Sequence, residues 1–186
     1  LQEGISLHQE GKLDQAELIY QQMLQVNPKN AEVLHLLGMI AYQVEKYDLA
    51  VNLINQAIEI DNRQPIFFHN LGLVLKDRGD LEGAIRVYQQ VVRANPKDSE
   101  AYNNLGNVLQ ENKRFEEGIT AYRKAIEINS NFADAHSNLG VALVKQERFE
   151  EGIVAYRKAI ETDSNFADAY YNLGNALQKK GDVRDA

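Results

Sequence analysis

The sequence predicts an all-α fold, a solenoid of antiparallel helix-turn-helix repeats with a period of 34 residues. Three observations carry that expectation. Glycines stand at Gly4, Gly38, Gly72, Gly106, Gly140 and Gly174, a constant step of 34. Apolar residues between them keep helical spacing, as in Tyr102, Leu105 and Leu109, and again in Phe115, Ile119, Tyr122 and Ile126. Proline is scarce, with three residues in 186, so little interrupts a helix.

The elements follow in order. Residues 1–30 form a partial repeat whose second helix is stopped by Pro28. Complete repeats span 31–64, 65–98, 99–132 and 133–166, and a partial repeat spans 167–186. Pro96 ends the second helix of 65–98 in the same way. Within 99–132, the polar stretch from Glu111 to Arg114 separates two amphipathic runs, giving two helices of roughly 13 residues in a hairpin. The phrases NFADAHSNLG at 131–140 and NFADAYYNLG at 165–174 mark the same junction built twice: a turn, then the start of a first helix. Gly11, Gly79 and Gly181 are expected to supply the turn between helices in three repeats.

Further columns keep the step. Leu37, Leu71, Leu105, Leu139 and Leu173 precede the glycines, and Leu13, Tyr47, Leu81, Phe115, Phe149 and Val183 hold an apolar column. A small column runs Ala16, Ala50, Ala84, Gly118, Gly152 and Ala186; an aromatic one runs Tyr20, Tyr88, Tyr122 and Tyr156, broken by Ile54. A glycine inside a helix costs about 1 kcal/mol against alanine, so six at one column need a reason. Close approach of the two helices of a hairpin is the simplest, with the small column as the complementary surface and the aromatic column filling the space between hairpins. One hairpin cannot cover its own apolar face, so hairpins stack into a continuous core.

These columns and their step resemble the tetratricopeptide repeat over the whole chain. The phrase FADAYYNLGNAL is also similar to repeats of the superhelical arm of O-linked N-acetylglucosamine transferases. The resemblance implies a single right-handed superhelical solenoid over 1–186, with the first helices lining a concave groove. The chain starts at Leu1 and stops inside the repeat pattern, so a piece of a longer protein is expected. It implies a non-catalytic scaffold for a protein or an extended peptide segment.

The groove residues follow from the columns. Asn70, Asn104, Asn138 and Asn172 stand two residues before the glycines; each offers a donor and an acceptor that match a peptide backbone. In the resembled transferases an asparagine ladder has this role; solvated or helix-end asparagines are the alternative. Neighbouring rows run His35, His69, Asn103, Ser137 and Tyr171; Ile5, Met39, Leu73, Asn107, Val141 and Asn175; and His8, Tyr42, Lys76, Gln110, Val144 and Gln178. The early part of the groove is thus more apolar, through Met39, Tyr42 and Leu73, and the later part richer in amides. Glu32, Glu100, Asp134 and Asp168, with Ile66 between, suit helix N-termini. Some members of the resembled family grip a C-terminal carboxylate with lysines and an arginine, but the matching columns here lack the basic residues.

Other chemistry finds little support. The absence of cysteine removes disulfides and thiolate sites. Among His8, His35, His69 and His136 no pair has the spacing of a helical metal site, and His136 falls in an aromatic column, packed between helices. No catalytic residue, metal or cofactor is expected. A net charge of -7, with both halves acidic, argues against nucleic acid and anionic membrane as partners. Arg123, Lys124, Arg157 and Lys158 recur on the second helices, as a solvated face does. No apolar run is long enough to span a membrane, and a cytoplasmic location is expected. Three functions remain: a peptide-binding scaffold, the substrate-selecting arm of a larger enzyme such as a glycosyltransferase, and a module that self-associates end to end.

Overall fold

The computed structural model describes residues 1–184; Ala186 and the side chain of Val183 fall outside what is described. Regular structure among the described residues is α-helical throughout. The helices fall into two compact units, Leu1–Val91 and Val92–Ala186. The first unit holds α1 (Gln2–Gln9), α2 (Leu13–Val26), α3 (Ala31–Gln43), α4 (Tyr47–Ile60), α5 (Pro65–Asp77) and most of α6 (Leu81–Ala94). The second holds α7 (Ser99–Glu111), α8 (Phe115–Ile128), α9 (Ala133–Lys145), α10 (Phe149–Thr162) and α11 (Ala167–Arg184). Within each unit successive helices pack as antiparallel pairs, and each first helix also touches the next first helix, as α3 does α5 and α7 does α9.

The helix starts are written in side chains. Asn30 Oδ1 accepts the Val33 N–H at 3.2 Å and Asp98 Oδ1 accepts the Ala101 N–H at 2.9 Å. Pro65 opens α5, where its missing N–H costs nothing. Glu32, Glu100, Asp134 and Asp168 lie in first turns, where the backbone dipole favours them. Pro28 and Pro96 lie just beyond the ends of α2 and α6.

The first helices end by one device. Backbone N–H groups reach back five residues, Lys12 to Leu7, Lys46 to Ala41, Asp80 to Leu75, Arg114 to Leu109 and Arg148 to Leu143, at 2.8–3.0 Å. That closure places the preceding residue in the left-handed region. Gly11 and Gly79 adopt it at φ +75° and +88°, as expected, but Glu45, Lys113 and Glu147 adopt it too, at 58–61°. Gly181, which shares the column, is no turn: α11 continues through it. Gln178, Lys179 and Lys180 are good helix formers, and a single glycine costs too little to stop the hydrogen-bond ladder.

The core corrects the reading of the glycine column. A Cβ built on Gly4, Gly72, Gly106 or Gly140 would come within 2.5–2.6 Å of the ring of Tyr20, Tyr88, Tyr122 or Tyr156, and one on Gly38 within 2.7 Å of Ile54. The glycines therefore make room chiefly for the large column of their own second helix. The small column is the second contact: a Cβ on Gly118 or Gly152 would lie 3.1 Å from the carbonyl oxygen of Gly106 or Gly140. The same rings also reach the next hairpin, as expected. Tyr20 clusters with Val33, Leu37 and Ile40 of α3; Tyr122 clusters with Leu139, Ala142 and Leu143 of α9. Each ring is a wedge fixed on two sides, which is why a full side chain opposite it does not fit.

Outside the core, Arg148 pairs with Glu151 at 2.8 Å and with Glu116 at 3.6 Å, and Arg123 pairs with Glu151 at 2.9 Å. Lys124 and Lys158 pair with Glu127 and Glu161. Such solvated pairs are screened by water and add little to stability.

Candidate functional site

In the first unit the candidate residues lie along α3 and α5. His35 is buried, with 7% of its surface exposed. Its ring stacks on Phe67 at 4.6 Å, and Nε2 lies 2.8 Å from the Asn70 carboxamide nitrogen. A carboxamide nitrogen has only protons to give, so Nε2 accepts and the imidazole proton sits on Nδ1. Burial pushes the His35 pKa down to about 4, consistent with a neutral ring. Asn70 and His69 are half-buried; the His69 ring meets Tyr88 edge-on, and its carbonyl oxygen accepts the Tyr88 hydroxyl at 3.1 Å.

Met39 and Leu73 are half-buried. Tyr42 is tied down: its hydroxyl donates to Asp77 Oδ2 at 2.6 Å, and this bond pushes its pKa up to about 12. Lys76 pairs with Asp77 at 3.2 Å. A cleft of about 830 Å³ opens at the N-terminal ends of α3 and α5, lined by Glu32, His35, Leu36, Arg63, Ile66 and Phe67 among others.

The second unit repeats the arrangement with amides. Asn103 is 6% exposed, and its Oδ1 accepts from Asn138 Nδ2 at 3.1 Å. Asn107 Oδ1 accepts the Tyr122 hydroxyl at 2.8 Å, which leaves the Asn107 NH₂ group for other partners. Burial raises the Tyr122 pKa, so that hydroxyl stays protonated. Gln110 donates to the Phe115 carbonyl oxygen at 2.8 Å, while its own Oε1 is buried without a partner. Val141 and Val144 pack on a cluster with Ile153, Tyr156 and Ala176. Asn104, Asn138 and Asn172 are half-buried, and Asn175 is exposed. Tyr171 is 72% exposed.

Asn70 in the first unit and Asn104, Asn138 and Asn172 in the second are thus each half-exposed, while His35, Asn103 and Ser137 of the neighbouring column are buried. Sequence reasoning missed the lateral bonds, each of which joins residues 35 apart. The available signal was a column of hydrogen-bonding side chains, His35, His69, Asn103 and Ser137, one register behind the asparagines. His136 is packed as expected, with Nε2 at 3.0 Å from the Ser130 carbonyl oxygen. Among the described residues no three His, Asp or Glu side chains are placed to hold a metal ion, and no helix is long and apolar enough to cross a membrane.

Family models of the tetratricopeptide repeat match residues 7–68, 69–135 and 142–181, and together tile most of the sequence. The chain belongs to the tetratricopeptide repeat family. Solved structures of similar fold agree. Pseudomonas aeruginosa pilF is 22% identical, with a TM-score of 0.82 over 99% of this chain and 83% of that one. MamA from Desulfovibrio magneticus RS-1 is 21% identical, with a TM-score of 0.77 over 88% of this chain and 93% of that one. YrrB, described as a tetratricopeptide repeat protein with an unusual peptide-binding site, is 23% identical, with a TM-score of 0.71 over 90% of this chain and 87% of that one. At such identities the likeness establishes the fold, an all-α repeat solenoid, and leaves the partner open. No curated protein matches the chain. Tetratricopeptide repeats as a family are protein-interaction scaffolds.

Proposed function

We propose that this tetratricopeptide repeat chain is a non-catalytic scaffold that holds an extended peptide or protein segment along its first helices. The observation that supports the reading most is the row Asn70, Asn104, Asn138 and Asn172, each half-buried and set one repeat apart. A carboxamide offers the donor and acceptor that a peptide group needs, without regard to the ligand's side chains. Met39 and Leu73 add apolar contact in the first unit. The peptide-binding site of YrrB is a precedent on a similar fold.

Peptides selected from a random library against the intact protein provide the test. The double variant Asn104→Ala with Asn138→Ala is expected to bind them at least tenfold more weakly and to keep a cooperative melt. Unchanged affinity in a folded double variant removes the asparagine row from the mechanism.

A further inference from the structure

We propose that His35 and Asn103 are positioning residues: each fixes the carboxamide of the asparagine one repeat on, so that its free edge meets a bound segment ready oriented. The proposal rests on the first helices being a peptide-binding surface. Its starting point is that each unit contains the same device made from different chemistry. His35 Nε2 holds the Asn70 carboxamide nitrogen at 2.8 Å, and Asn103 Oδ1 holds that of Asn138 at 3.1 Å. The two pairs share their columns. What His35 and Asn103 have in common is an acceptor atom on a buried side chain, at 7% and 6% exposure.

A carboxamide carries two N–H donors and one carbonyl acceptor. The brace takes one N–H of Asn70 and one of Asn138. One N–H and the carbonyl oxygen remain on each half-buried side chain. That pair is the complement of a peptide group. A free asparagine samples several rotamers and both orientations of its amide, and a ligand would have to order it. Ordering one rotamer-rich side chain at an interface lowers affinity by about threefold to tenfold. Here the ordering happens when the protein folds, so a residue that never touches the ligand sets part of its affinity.

The repeat supplies its own test, because histidine does in one repeat what asparagine does in another. Peptides selected from a random dodecapeptide library against the intact protein are labelled, and their affinities measured by fluorescence anisotropy for four variants. Asn103→Leu removes the acceptor at similar volume; it is expected to melt no lower than wild type and to bind about fivefold more weakly. Asn103→His restores an acceptor and is expected to restore affinity. Asn138→Ala is expected to weaken binding at least as much as Asn103→Leu. In the double variant the Asn103 change is expected to add nothing. Wild-type affinity in Asn103→Leu together with weak binding in Asn138→Ala overturns the positioning role and leaves the peptide-binding surface standing. Wild-type affinity in Asn138→Ala overturns both. Should Asn103→Leu fail to fold, Asn103→Ala carries the same comparison.

Discussion

Replacing Gly106 by alanine sets two known effects against each other. Alanine favours a helix interior over glycine by about 1 kcal/mol. The new Cβ, however, would lie 2.5, 2.6 and 3.0 Å from Cε1, Cδ1 and Cζ of the Tyr122 ring. That ring cannot retreat. It is 3% exposed, clustered with Ile119, Leu139, Ala142 and Leu143, and bonded through its hydroxyl to Asn107. Overpacking of this kind costs about 1–3 kcal/mol, and contact with three atoms of an immobile ring puts it near the top of that span. The net expectation is a loss of about 2 kcal/mol, or about 4–8 °C in melting temperature for a chain of this size; Gly106→Leu should lose more. Repeat arrays need not unfold as one unit, so circular dichroism melts should be paired with native-state hydrogen exchange resolved to α7 and α8. If Gly106→Ala is as stable as wild type or more so, the ring contact is not what the glycine column serves.

Other outcomes are open to direct measurement. Lys113 holds φ +61° at a helix end; Lys113→Gly relieves about 1–2 kcal/mol of left-handed strain and returns about 0.5–1 kcal/mol to the unfolded chain, so its urea midpoint should rise modestly. A lower midpoint would show that the lysine is not strained there. His35 has a folded pKa of about 4, below the ordinary value near 6.5. Its contribution is therefore complete above about pH 6.5 and is lost as the pH falls towards 4, because the unfolded chain binds the proton first. The loss should reach about 2–3 kcal/mol near pH 4.5 and should shrink in His35→Gln, read as the difference in urea midpoint between neutral and acid buffer. An equal acid sensitivity in both proteins would place the titration elsewhere.

The sequence by itself determined the period, the hairpins and the positions of the candidate residues. Gly4 to Gly174 keep step because one packing unit is repeated, and a repeated unit leaves a repeated spelling. Pro28 and Pro96 ended helices, and the acidic first turns marked starts, because those effects act within a few residues and are visible locally. Tertiary structure decided what each column faces. The spacing of Gly106 and Tyr122 is the same whether the ring covers its own glycine or only the next hairpin, and contact distances alone tell the two apart. Glu45, Lys113 and Glu147 take a glycine's conformation because the backbone closure at the helix end requires it, whatever the side chain. His35 and Asn103 looked like groove residues until the next first helix covered them, and Asn70 and Asn138 looked free until each was found bonded across the repeat. Column membership is a property of one helix. Exposure and hydrogen-bond partnership belong to pairs of helices, and they are set only when the hairpins stack.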